Sequence, residues 1–245
     1  MPQAPPVPGW AQADALDRHV VREFESLGER RSEEIARRLV AAYVLADEGE
    51  TEEALAHAAV VRVLGSRLAA AREAVGIVAY RCGAYEDALK DLKAARRISG
   101  RWDALPVMAD CERGLGRPER ALELAATPEA ARLDRAGRVE MLLVAAGARQ
   151  DLGQPDAAVL TLQVPELRAT SDAEWHQRLL AGYAAALDAA GRSGEAAAWH
   201  ERAASHPAAP RVPSEDDADI VDLDPAADDE RPVDGDAAPE QTGRG

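Results

Sequence analysis

Apolar residues along this 245-residue chain return at helical spacing. Leu16, Val20, Phe24 and Leu27 follow one another at steps of four, four and three, which predicts a helix over 14–27 ended by Gly28. Ten more helices are expected in five pairs. Their first members fall at 33–47, 67–82, 103–115, 135–152 and 172–190, and their second members at 51–64, 85–99, 118–126, 155–162 and 193–205. Ser32 followed by Glu33 and Glu34 has the chemistry of a helix start, and Ser66, Asp134 and Ser171 offer further N-caps, with Ser171 and Glu174 in capping-box spacing. Pro118 and Pro155 suit the first position of a helix, whereas Pro128 and Pro165 should cut the third and fourth pairs short.

The pairs are in phase. A glycine-to-alanine step of five residues recurs as Gly49→Ala54, Gly83→Ala88, Gly116→Ala121, Gly153→Ala158 and Gly191→Ala196, the alanines 34, 33, 37 and 38 residues apart. Each glycine sits where a first helix must stop, as a left-handed C-terminal cap requires. Twelve residues before each alanine stands another small residue: Ala42, Gly76, Ala109, Ala146 and Ala184. A period of this size marks stacked units that bury their apolar faces only against one another.

This pattern resembles the tetratricopeptide repeat (TPR) family over about residues 35–205, with small residues at the two tightest helix contacts of every unit. The match is degenerate. The family's large residue early in the first helix is Leu105, Leu142 and Leu180, but Arg38 and Arg72 in the first two units. The resemblance, which extends to TPR proteins of high-GC bacteria, implies an all-α fold: an α-solenoid of about five TPR-like hairpins behind a leading capping helix. It also implies a concave groove, lined by the first helices, that binds a protein or peptide partner. Carried over position by position, the groove would be lined by Tyr43, Ile77, Tyr80, Arg81, Asp110, Arg113, Leu143, Gln150 and Asp151. Tyr80, Arg81 and Arg113 are the residue types that dominate binding hot spots, although Tyr80 has packing against the next repeat as its alternative role. Leu39, Tyr43 and Ile77 stand where the family's carboxylate clamp has lysines and asparagines, which argues against that mode of binding.

Composition supports helices. About a fifth of the chain is alanine, the best helix former, against four Trp, four Tyr and one Phe. The net charge of −15 is concentrated in the tail, where nine carboxylates fall between residues 215 and 230. Such an acid balance argues against nucleic acid, whose binding draws on a basic face. Three segments result: 1–11, proline-rich and expected to be disordered; 12–206, the helical repeats; and 207–245, an acidic tail expected to be disordered. Within the tail, Ile220, Val221 and Leu223 form the one apolar island, so a linear motif there, or autoinhibition, is the alternative route to function. Lys90, Lys93, Arg96, Arg97 and Arg101 form a basic helical face, either solvated or a dock for an acid.

No catalytic constellation is legible. Histidines 19, 57, 176, 200 and 206 lack the i, i+4 pairing of a metal site, and Cys82 and Cys111 suit buried helical positions. No signal peptide and no membrane-length apolar run is present in the sequence. The expectation is a cytoplasmic, non-enzymatic scaffold with no cofactor, no metal and no membrane contact, and with homodimerisation through the terminal helices left open.

Overall fold

The computed structural model describes residues 5–208 apart from position 17. Among them are eleven α-helices and no strand: α1 (Arg18–Phe24), α2 (Glu29–Asp47), α3 (Thr51–Leu64), α4 (Ala69–Arg81), α5 (Tyr85–Ser99), α6 (Leu105–Gly114), α7 (Pro118–Ala125), α8 (Arg135–Asp151), α9 (Pro155–Leu162), α10 (Glu174–Ala189) and α11 (Ser193–Ala204). From α2 onward they form five hairpins. Each second helix packs on its own partner and on the first helix of the next hairpin, and the first helices pack on one another in chain order. The core is divided accordingly, from Ile35, Leu39 and Val61 near the start to Leu179, Leu180 and Leu187 near the end.

Five identical caps end the first helices. Gly49, Gly83, Gly116, Gly153 and Gly191 all have φ between 69° and 84°. The residue after each donates its N–H back to the last turn (Glu50 to Leu45, Ala84 to Ala79, Arg117 to Glu112, Gln154 to Arg149, Arg192 to Leu187) at 2.8–2.9 Å. This double-bonded closure satisfies carbonyls that would otherwise be orphaned and turns the chain tightly into the second helix. The alanines five residues on are fully buried, as are Ala42, Ala109 and Ala184. At Gly76 a Cβ would fall 2.7 Å from Leu92 Cγ and 3.2 Å from the Leu92 backbone nitrogen, so α4 and α5 approach as closely as they do because nothing stands between them.

Several local expectations are corrected. The leading helix is broken: Leu16 is extended, α1 covers seven residues, and a 3₁₀ turn follows at Glu25–Leu27. Leu16, Val20, Phe24 and Leu27 nevertheless all pack on the first core cluster. Gly28, at φ 83°, is the N-cap of α2, so Ser32 lies buried in the first turn. Leu68 rather than Ser66 precedes α4. Ser171 accepts the Ala173 N–H and leaves Ala173 to open α10, because histidine nitrogens hold the Ser171 carbonyl. Asp134 caps α8 as its chemistry predicts, accepting the Gly137 N–H at 2.7 Å. The two proline-shortened helices are each followed by a 3₁₀ turn, Ala130–Arg132 and Pro165–Arg168.

Residues 5–11 of the proline-rich segment lie against α2. Arg37 donates to the Ala11 carbonyl at 2.8 Å and Arg38 to that of Pro5 at 3.0 Å, and Ala11 is fully buried. Residues 1–4 and the tail from 209 on, including Ile220, Val221 and Leu223, lie outside the described residues.

Arg38 also donates to His57 Nδ1 at 3.4 Å, which places the His57 proton on Nε2. Burial and then the Arg38 charge hold the His57 pKa below its usual value of 6.5. The sign follows from linkage: on acidification the unfolded chain takes up this proton before the folded one does. This contribution to stability is full above the unfolded value near 6.5 and is lost as pH falls through the lower folded value. The fall in Tm between about pH 7.5 and 5.5 is therefore expected to be smaller in His57→Met than in the parent, measured by thermal melts in parallel.

Candidate functional site

Consecutive first helices are joined on one face by polar rungs, each about one repeat long in sequence. From α4 to α2, Arg81 donates to Asp47 at 2.8 and 3.0 Å, and its guanidinium lies 5.1 Å from the Tyr43 ring centre. From α4 to α6, the Tyr80 hydroxyl donates to Asp110 at 2.6 Å. From α6 to α8, Arg113 donates to Asp151 at 2.8 Å while also holding Asp110 at 2.7 Å. From α10 to α8, Arg178 donates to Glu140 at 2.7 Å. The partners are 34, 30, 38 and 38 residues apart.

Burial is partial and gives these groups their character. Burial, then the Asp110 hydrogen bond, lifts the Tyr80 hydroxyl well above the ordinary phenol range, so it is a permanent donor. Burial likewise pushes Tyr43 up to about 12, against the opposing pull of Arg81. Desolvation works against the Arg113 charge, but the Asp151 and Asp110 carboxylates more than offset it. Half-exposed ion pairs of this kind contribute only about 0–1 kcal/mol each. The rungs therefore orient side chains on the face more than they hold the fold together.

Between α4, α6, α8 and α10 the face opens into a cleft of about 370 Å³ lined by Tyr80, Val107, Asp110, Arg113, Leu143 and Arg178. Two glycines shape it. A Cβ at Gly147 would stand 2.6 Å from Arg113 Cζ, and one at Gly182 would stand 2.3 Å from Leu143 Cδ2. Each lets a side chain of the preceding first helix lie flat on the next. A second cleft, of about 470 Å³, lies between α1, α2 and α4 and includes Tyr43 and Ile77.

The sequence-predicted residues thus divide. Tyr80, Asp110, Arg113 and Leu143 come together in the first cleft, with Asp151 on its Arg113 rung; Tyr43 and Ile77 belong to the second; Arg81 faces Asp47 and Tyr43. Gln150 lines neither cleft, and its backbone carbonyl serves the Gly153 cap. Sequence reasoning missed Asp47, Glu140 and Arg178. Opposite charges one repeat period apart, Asp47 with Arg81 and Glu140 with Arg178, were the signal that could have found them.

The basic face of α5 is partly engaged: Lys93 reaches Glu112 at 3.7 Å, Arg96 lies 4.4 Å from the Trp102 ring centre, and Arg101 pairs with Asp103. Lys90 and Arg97 are exposed, without an ion pair among the described residues. Burial, reinforced by Asp110 and Glu112, pushes the Cys111 thiol up to about 12, the reverse of an activated nucleophile. Among the described residues no group of three or more His, Cys, Asp or Glu is placed to hold a metal ion, and no helix is long and apolar enough to cross a membrane. Compared with known proteins, the chain matches no family model and no curated protein.

Proposed function

We propose that the five hairpins form a TPR-like α-solenoid and that the protein is a non-enzymatic adaptor, binding a segment of a partner protein along the face of its first helices. The observation that carries this reading is the first cleft. Four consecutive first helices contribute to it, and it combines an aromatic donor, two arginines and apolar walls at Val107 and Leu143. Aromatic and arginine groups around an apolar centre are the composition of protein-binding hot spots. The Tyr80–Asp110–Arg113–Asp151 network fixes those groups in place before a partner arrives, which lowers the ordering cost of binding.

A photoreactive benzophenone side chain at Val107 tests this in the native cell extract. A discrete cross-linked partner is expected from Val107 and not from Val63, which is 70% exposed on the second helix α3. Equal labelling from both positions overturns the reading.

Gly147→Ala separates binding from stability. The new methyl group must displace the Arg113 guanidinium from over α8 and loosen its hold on Asp151. Alanine for glycine within a helix adds about 0.5–1 kcal/mol of helix preference. Stability should therefore hold or rise, while affinity for the captured partner falls by about tenfold, equivalent to about 1.4 kcal/mol. Melting and titration calorimetry on the same samples read both effects.

A further inference from the structure

The second cleft contains a carboxylate without a counterpart. Glu73, on α4, makes no hydrogen bond and no ion pair among the described residues, although it is half-buried. Around it are Leu16, Val20, Tyr43, Ala70, Ala74 and Ile77, a mostly apolar lining. Glu23, from α1, lines the same space and among the described residues its carboxylate accepts only the Ala70 N–H, at a long 3.3 Å. Arg101 also lines the cleft, and it is paired with Asp103 at 2.6 Å. Burial raises the Glu73 pKa, with Arg101 pulling the other way. A half-buried carboxylate in apolar surroundings is a costly arrangement unless something completes it.

We infer that this cleft is a subsite for a cationic side chain of the bound partner, an arginine or lysine whose aliphatic stem lies along Leu16, Tyr43 and Ile77 and whose head reaches Glu73 and Glu23. Charge complementarity selects this occupant. The cleft holds two carboxylates against one arginine already paired elsewhere, so an anion is repelled and a neutral apolar group leaves Glu73 unpaired. Long basic side chains bring both features at once, an apolar stem and a charged head. The Arg101–Asp103 pair is exposed at 64% and 60%, so it can stay closed or open at little cost while the cleft fills. This inference rests on the proposed reading of the first-helix face as a partner-binding surface, and it adds the chemistry of one partner residue.

The test uses the full chain and two synthetic tripeptides, acetyl-Leu-Arg-Leu-amide and its citrulline counterpart, which is neutral but nearly the same shape. Methyl chemical shifts of Ile77 and Ala74 report occupancy. The arginine peptide is expected to move both and to bind at least tenfold more tightly than the citrulline peptide. In Glu73→Gln, melting as the parent does, that preference should shrink to less than about threefold, a difference of about 0.6 kcal/mol. Equal binding of the two peptides, an arginine preference that survives Glu73→Gln, or no shift with either peptide at millimolar concentration overturns the inference. The Val107 cross-link, run in parallel, separates the two readings. Its loss with the arginine preference intact rejects the groove and keeps the subsite as an isolated cation site, whereas its persistence with the preference absent rejects the subsite alone.

Discussion

Replacing Arg62 and Arg72 together by methionine is expected to lower stability by about 3–5 kcal/mol, the loss that follows when a buried charge is stripped of its partners. The residue at stake is Asp91 on α5, which is fully buried. Its two oxygens are held from different helices: Arg62 of α3 donates to Oδ2 at 2.8 Å, and Arg72 of α4 pairs with Oδ1. The arginine side chains keep 28% and 19% of their exposure, whereas the Asp91 side chain keeps none. At about 2–4 °C per kcal/mol for a chain of this size, the double variant should melt roughly 6–20 °C lower. Adding Asp91→Leu to the pair should recover most of that loss, because a hydrophobic replacement of a whole buried ion cluster is close to neutral or better. Thermal melts of the parent, the double and the triple variant decide the matter. A double variant as stable as the parent would mean that Asp91 is relieved in some other way.

Arg72 shows what was legible in the sequence and what was not. The glycine-to-alanine step placed all five hairpins, and the bounds of α3, α5 and α9 are those expected, because capping glycines, N-terminal prolines and small contact residues act locally and leave local signals. Arg38 and Arg72 stood out only as departures from the repeat, at positions where a large apolar residue belongs. Their stems fill that space while their heads find Glu34 and His57 in one case and Asp91 in the other. Glu34 stands at helical i, i+4 spacing from Arg38, but no local spacing indicates His57 or Asp91, each 19 residues from its arginine. The same holds at the N-terminus. Proline content argued for disorder over 1–11, but Arg37 and Arg38 of α2 supply donors for the Ala11 and Pro5 carbonyls of that segment, partners that lie 26 and 33 residues away. The leading helix broke because a four-four-three stripe can also be met by one short helix flanked by two 3₁₀ turns.

The candidate site was half legible for a related reason. The TPR resemblance, carried over in repeat phase, put Tyr80, Asp110 and Arg113 in one groove, and the structure joins them into one network. Phase could not show that both arginines picked as binding groups, Arg81 and Arg113, already hold carboxylates one repeat away. Nor could it find Glu73, which makes no ion pair among the described residues.

Ala88→Arg should be the most damaging single substitution in the second hairpin, at about 3–5 kcal/mol. Ala88 is fully buried among Ala79, Leu89, Leu92, Met108 and Cys111, in the cluster that joins α4, α5 and α6. Overpacking such a site costs about 1–3 kcal/mol through displaced backbones and strained rotamers. An arginine there must also bury its guanidinium among these apolar side chains, or push the helices apart until it reaches water. Both outcomes break the contact that the five-residue step repeats at Ala54, Ala121, Ala158 and Ala196, all of them fully buried. Ala59→Arg, at an exposed position on α3, supplies the control and should stay within about 0.5 kcal/mol of the parent. The ranking of the two variants is the discriminating result. If Ala88→Arg melts with Ala59→Arg, hairpin contact does not depend on small residues at this step, and the repeat phase on which the cleft assignments rest is lost with it.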